Sequence, residues 1–278
     1  MAARRQRIPP HVRAEERVQP LPWHKPKPAE EDPDAPARLA AILASPSYRM
    51  VAEDPEFLNR NDIRGPRLQL DYLKSELLLR QHRIEHTIVV FGGTRIVESA
   101  AARKRLRELR AALAAAPGNA GLRHECAVAQ RLLAKSRYYD IAREFGRLVS
   151  SSAAKAGNGR LVVMTGGGPG IMEAANRGAY DTGAPSVGLN ISLPQAQFPN
   201  PYITPELCFL FHYFSSRKLH FMLRARALVA FPGGYGTFDE LFEALSLIQT
   251  RKIKPIPVVL VGRQFWRSAF DVDFLVDE

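Results

Sequence analysis

The chain has 278 residues, 46% hydrophobic and 24% charged. That is ordinary globular material for one large or two small domains, and no run approaches the ~18 apolar residues of a membrane span. The formal charge of +11 is unevenly placed, since residues 80–160 hold 16 Lys and Arg against 6 Asp and Glu. Cys126 and Cys208 form no ligand pattern and read as reduced thiols. With no apolar leader at the N-terminus, a cytoplasmic protein is expected.

Residues 1–36 are rich in Pro, Arg and Glu and poor in large apolar side chains, a composition expected to form a disordered arm. Residues 37–86 read as a helical N-terminal extension. In it Ala37 to Met50 carries Leu39, Ile42 and Leu43 as an apolar stripe, and Gly65-Pro66 breaks the chain. Arg67 to Ile84 then places Leu70, Leu73, Leu77 and Ile84 on one face, with Tyr72 and Leu78 beside it. That spacing predicts a helix docking through its leucines.

The region 87–278 is expected to be one nucleotide-binding domain. Thr87 to Phe91 is a buried-strand signature that runs into Gly92-Gly93-Thr94-Arg95. There main-chain N–H groups and Thr94 can meet an anion. Ser99 to Ala115 and Ala120 to Lys135 predict a helical insert, a surface hairpin turned at Pro117-Gly118-Asn119. Its string Arg103-Lys104-Arg105-Leu106-Arg107 is compatible with nucleic acid, but no aromatic residues interleave with it. A solvated helix face is the preferred reading, and nucleic acid is not expected as a partner. Tyr138 to Ser152 reads as a further helix. Leu161 to Met164 is a second strand, ending in Thr165-Gly166-Gly167-Gly168-Pro169-Gly170 before a helix over Ile171 to Thr182. Further strands are predicted at Ser186 to Asn190, Leu207 to Tyr213, Ala227 to Phe231 and Ile256 to Val261. Pro199 to Pro205 is expected to be an exposed loop, and Ser215 to Arg226 a helix carrying Arg217, Lys218 and Arg224.

The strand at Ala227 to Phe231 is followed by Pro232-Gly233-Gly234-Tyr235-Gly236-Thr237 and an amphipathic run with Phe238, Leu241, Phe242, Leu245 and Ile248 at helical spacing. Thr237 or Asp239 is expected to cap that helix. Free N–H groups at a helix start beside glycines make a phosphate site. The glycines fit neither G-x-x-x-x-G-K-[ST] nor G-x-G-x-x-G, which argues against an NTPase or a dinucleotide dehydrogenase. Strands alternating with helices predict an α/β, Rossmann-like, doubly wound parallel sheet flanked by helices. Ligands of such sheets bind at the carboxyl ends of strands, so the three glycine loops are expected to converge on one crevice.

With Gly166 to Ala179 and Pro232 to Glu240 in place, the chain resembles the Lonely Guy family over about Thr87 to Asp277. Members are Rossmann-like phosphoribohydrolases long described as lysine decarboxylases. Every fixed position of the family motif P-G-G-x-G-T-x-x-E is matched, and Ser216-Arg217-Lys218 sits where the family carries its Arg-Lys pair. The resemblance implies hydrolysis of the N-glycosidic bond of a nucleoside 5′-monophosphate, of the AMP or cytokinin riboside type, to free base and ribose 5-phosphate. It implies Glu240 and Arg217 as catalytic residues. It implies nucleotide contacts from Gly93, Thr94, Gly166, Gly167, Gly168, Gly170, Glu173, Lys218, Gly233, Gly234, Gly236 and Thr237. It also implies a homodimer or larger homo-oligomer.

The alternative is a non-catalytic carrier or sensor of a nucleotide or of molybdenum cofactor, as in a related group. The long N-terminal extension, the basic insert and the ending at Val276-Asp277-Glu278, where relatives usually continue into a last helical segment, depart from the short plant-like members. Glu240 has a plainer reading, complementing its helix dipole. A Schiff base of Lys218 with pyridoxal phosphate finds no pyridinium partner, and His212 and His220 lack metal spacing. No metal and no cofactor are therefore expected.

Overall fold

A computed structural model describes residues 25–156, 160–194 and 198–277. The chain divides into two units, 1–64 and 65–278. Most of the arm expected over residues 1–36 lies outside the described residues.

The described part of the first unit holds helix α1 (Ala35–Ala44), helix α2 (Pro55–Leu58) and three short 3₁₀ turns. α1 starts two residues before the expected helix, with a proline in its first turn, where a missing N–H costs nothing. The Asp54 carboxylate accepts the Phe57 N–H and caps α2. None of the residues in these elements is buried, and Ile42 and Leu43 of the predicted stripe are exposed.

The second unit contains a six-stranded, all-parallel sheet in the order β4-β3-β2-β1-β5-β6. The strands are β1 (Ile84–Phe91), β2 (Arg160–Thr165), β3 (Ser186–Ile191), β4 (Cys208–Phe211), β5 (Ala225–Ala230) and β6 (Val258–Leu260). The helices are α3 (Arg64–Gln81), α4 (Ser99–Ala115), α5 (Ala120–Lys135), α6 (Arg137–Ala156), α7 (Ile171–Tyr180), α8 (Phe214–Leu223), α9 (Tyr235–Gln249), α10 (Arg263–Ala269) and α11 (Val272–Asp277). The fold is a Rossmann-like α/β sheet with helices on both faces, as the strand–helix alternation predicts. Among the described residues no helix is long and apolar enough to cross a membrane.

Alternation along each strand divides the core into two layers. Val89, Phe91, Met164, Leu228 and Ala230 face one side, with Leu79 of α3, Phe221 of α8, and Leu241 and Ala244 of α9. Val90, Val163 and Val229 face the other, with Tyr139 and Ala142 of α6 and Ala174 and Ala175 of α7. There α6 and α7 touch backbone to backbone. A Cβ on Gly178 would lie 1.9 Å from the Arg143 carbonyl oxygen, so only glycine fits the crossing.

Three expectations change. The β5 strand begins at Ala225, so α8 ends at Leu223 rather than at Arg226. Gly65-Pro66 lies inside the first turn of α3 and does not break it. The docking face of α3 is also not the leucine stripe. Leu70 and Leu77 are 58% and 59% exposed, Ile84 belongs to β1, and the buried residues are Ser75, Glu76 and Leu79. Glu76 goes inside because Arg224 reaches it at 2.8 Å and Arg80 at 2.6 Å. The Arg224 hydrogen bond holds the Glu76 carboxyl below the usual range against the opposing pull of burial.

This reversal is measurable. Leu79→Ala should destabilise the protein by about 2–5 kcal/mol in urea melting. Leu77→Ala, on the exposed stripe, should stay within about 0.5 kcal/mol of the parent. Equal costs at both positions would contradict the observed face.

Candidate functional site

The strand order reverses between β1 and β5, since the chain adds β2, β3 and β4 on one side of β1 and then β5 and β6 on the other. Such a switch point leaves a crevice at the strand ends. The three glycine loops follow β2, β1 and β5, which are neighbours. The loops also pack on one another. The Gly93 N–H donates to the Pro232 carbonyl at 2.9 Å, and the Ile171 N–H donates to the Gly93 carbonyl at 3.2 Å. Gly170 has φ +75°, and a Cβ there would meet the Gly93 carbonyl oxygen at 2.4 Å, so the second loop closes on the first only through a glycine.

The helix after the third loop starts earlier than expected. α9 begins at Tyr235, its N-cap is Gly234, and no side chain caps it. Thr237 and Asp239 are therefore inside the helix. The N–H groups of Tyr235 and Gly236, at its first two positions, have no intrahelical acceptor. They sit at the positive end of a 15-residue helix.

A cleft of about 230 Å3 opens at this point, lined by Gly93 and Thr94, Gly234, Gly236 and Thr237, and Arg217 and Glu240. Phe91, Gly92, Met172, Phe214 and Asp239 complete the lining; Gly92 belongs to the first expected glycine loop and Asp239 was expected only as a helix cap, while Phe91, Met172 and Phe214 were not expected at the site. The remaining expected residues lie outside the lining. Gly233 packs under Thr237, whose Oγ1 would be 2.1 Å from a Cβ on it. Gly166 makes room for the Arg217 guanidinium, which would be 2.5 Å from a Cβ there. Gly167 and Gly168 offer their carbonyls to the Asn200 amide at 3.2 and 3.1 Å. Asn200 also donates to Asn176 at 3.0 Å, and Asn176 accepts from Thr165 at 2.7 Å. This buried network fixes the second loop from behind. Asn200, 6% exposed, and Ile203, 7% exposed, correct the expectation that Pro199 to Pro205 is simply an exposed loop. Glu173 turns toward α6 and accepts the Tyr139 hydroxyl at 2.7 Å.

Two side chains carry the electrostatics. Glu240 lies in the second turn of α9 and is 4% exposed. Arg217 approaches its Oε1 at 3.9 Å and Lys218 its Oε2 at 3.9 Å, both beyond hydrogen-bond length. Among the described residues Glu240 Oε2 has no hydrogen-bond partner. Burial pushes the Glu240 carboxyl up to about 7, Lys218 and then Arg217 oppose this, and Glu243 and Asp239 reinforce it. No acidic residue falls in the first turn of α9, so complementing the helix dipole does not explain Glu240.

Arg217 is held by its Nε–H on the Leu189 carbonyl at 2.7 Å and lies 5.0 Å over the Phe221 ring. Burial lowers its pKa, and the Glu240 and Asp239 charges oppose that. A guanidinium so placed remains cationic. The Lys218 ammonium sits 2.9 Å from Asp239 and 2.8 Å from Glu243. Burial pulls its pKa down, but the bonds to these carboxylates outweigh it and the net shift is upward. Such a clamped ammonium is an electrostatic fixture beside Glu240 rather than a free nucleophile. Among the described residues no cluster of His, Cys, Asp and Glu could hold a metal ion.

Residues 172–277 match a family model described as "Possible lysine decarboxylase". That span includes Arg217, Lys218 and the Pro232-to-Glu240 motif, while the first two glycine loops precede it. Among solved structures, the X-ray structure of TM1055, a structural-genomics target, is 20% identical. The match covers 62% of this chain and 72% of that one, with a TM-score of 0.38. No curated protein matches the chain.

Burial of Glu240 has a thermodynamic signature. A carboxyl whose pKa rises from 4.5 unfolded to about 7 folded favours the native state when protonated. Its contribution is full below about pH 4.5 and is lost as pH rises through about 7. Parent stability, measured by urea melting, should therefore fall by up to about 3 kcal/mol between about pH 5 and pH 8 relative to Glu240→Gln. Parallel pH curves for the two proteins would mean that Glu240 is not desolvated in the native state.

Proposed function

We propose, from the premise that residues 172–277 belong to the possible lysine decarboxylase family, whose Lonely Guy motif the chain carries, that the cleft hydrolyses the N-glycosidic bond of a nucleoside 5′-monophosphate. The carrying observation is Glu240, a buried carboxylate with one unpartnered oxygen, in a cleft that also holds the start of α9. A carboxylate left without partners costs stability and is retained where charge develops during a reaction.

In this reading the 5′-phosphate occupies the start of α9. The Tyr235 and Gly236 N–H groups and the Thr237 hydroxyl receive it, and Thr94 closes the far side. The base rests on the apolar wall of Met172 and Phe214, with C1′ of the ribose toward Glu240. As the C1′–N bond breaks, its electron pair leaves with the base nitrogen and positive charge grows on the sugar. The Glu240 carboxylate stabilises that cation and takes a proton from the water that adds to C1′. The proton passes to the departing base, so Glu240 is ionised again at the end of the cycle. A carboxyl near neutrality suits this exchange. Arg217 acts on Glu240 through its charge at 3.9 Å and offers its fixed planar donors to the ribose.

Decarboxylation, as the family description suggests, would use pyridoxal phosphate on a lysine. Lys218 does not fit, because its ammonium is clamped by Asp239 and Glu243 and does not line the cleft.

Release of free base and ribose 5-phosphate from a panel of nucleoside 5′-monophosphates tests the reading. With the best substrate, Glu240→Gln should lower kcat on the order of 10²-fold or more, about 3 kcal/mol, while nucleotide binding survives. Arg217→Ala should weaken both binding and turnover. Parent-level turnover in Glu240→Gln would remove the mechanism and leave a nucleotide carrier.

Lys218→Met removes the cation that most lowers the Glu240 pKa. It should move the acid limb of the kcat/KM profile to higher pH by about one unit, and Lys218→Arg should restore it. An acid limb that stays put would show that Lys218 does not tune the carboxylate.

A further inference from the structure

The helical hairpin of α4 and α5 has a core of its own, separate from the sheet. Leu106, Leu109 and Ala129 are buried there with Leu122, Cys126 and Leu133 around them. Residues 99–135 carry eight Lys and Arg against two Glu. What composition leaves open, and the packing decides, is how these charges are distributed around the hairpin.

With Leu106 and Leu109 turned inward, Arg103, Arg107 and Arg110 fall within about 60° of one another on a flank of α4. Arg110 and Arg123 of α5 line the same shallow groove near the turn, so Arg123 extends this flank across the hairpin. Both acidic residues are elsewhere. Glu108 lies about 100–160° round the helix from those arginines. Glu125 pairs with Arg105 at 3.2 Å, outside that arc. All four flank arginines are exposed, and none has an ion pair among the described residues. The Arg123 guanidinium donates to the Gly118 carbonyl at 3.4 Å.

The geometry points to this flank of the α4–α5 hairpin as a docking surface for double-stranded nucleic acid, held through its phosphates without regard to sequence. Guanidinium groups about 6 Å apart along a helix axis, at i and i+4, present bidentate donors to a regular array of phosphate oxygens. The hairpin carries no Phe, Tyr or Trp, so it offers no row of large aromatic rings for stacking the unpaired bases of a single strand. Nor does it expose a large apolar side chain, and a helix lying in a lipid surface needs an apolar face to insert. The surface is distinct from the cleft and does not rest on the function proposed for it.

The test is fluorescence anisotropy of the full chain with a labelled DNA duplex of about 20 base pairs, over a salt series. Four phosphate contacts at a slope of about 0.9 each should weaken binding on the order of 10²-fold between about 50 and 200 mM salt. The variant Arg103→Gln, Arg107→Gln, Arg110→Gln, Arg123→Gln should lose at least about 10-fold in affinity and flatten the slope by about three to four. The same positions changed to Lys should keep most of the slope. A matched control, Lys74→Gln, Lys252→Gln, Lys254→Gln, Arg263→Gln, removes equal charge away from the hairpin and should lose less than about 3-fold. Circular dichroism and thermal melting check that each variant is folded. Equal losses in the flank and control variants would overturn the proposal in favour of diffuse net charge. So would absence of duplex binding at about 50 mM salt, or binding to phosphatidylserine vesicles in place of the duplex.

Discussion

The Glu240 carboxylate is withdrawn from water and left short of partners, and much of the second unit is arranged around that condition. Two cations stand 3.9 Å away, too far to hydrogen-bond but close enough to offset part of the desolvation. Each cation is fixed by something else. Arg217 hangs from the Leu189 carbonyl within β3, and Lys218 is held by Asp239 and Glu243. The carboxylate is thus bracketed by charge, and its Oε2 keeps no hydrogen-bond partner among the described residues.

Rigidity behind the cleft comes from the loops. Gly93 is bonded to Pro232 and Ile171, so the first loop is clamped to both of the others. The second loop contributes less surface than support. Its carbonyls are taken up by Asn200, and its first glycine yields space to Arg217. An aromatic cluster of Phe238, Phe242, Phe265, Trp266 and Phe270 packs along the back of α9 and fixes the helix that presents Glu240. Preorganised charges and dipoles of this kind exert their field without having to rearrange.

The two surfaces of the second unit obey different physics. At the cleft, charges are few, buried and sensitive to every neighbour. On the hairpin, charges are many, exposed and screened by salt, and they gain effect only by being collected on one flank. The first arrangement suits chemistry on a small molecule, and the second suits attraction of a long polyanion.

Apolar runs marked all six strands, three of them ending in glycine loops, and the succession of strands and helices was enough to specify a parallel sheet, because buried parallel strands are apolar on both faces. The P-G-G-x-G-T-x-x-E motif marked the turn from β5 into α9 and pointed to Glu240, but not the first residue of the helix, because Gly234 rather than a capping side chain stands at its N-cap. The α3 docking face was not legible. Glu76 is buried only because Arg224, 148 residues later, meets it there, and no periodicity announces a partner that distant. The same applies to Glu173, drawn away by Tyr139, to Lys218, taken by two carboxylates, and to Phe214 and Met172, which reach the cleft from different helices. Local pattern determined the elements and the motif, because both depend on neighbours along the chain. Which polar groups were left unpartnered, and which charges shared a flank, only the tertiary structure decided, because those depend on residues brought together by the sheet and the hairpin core.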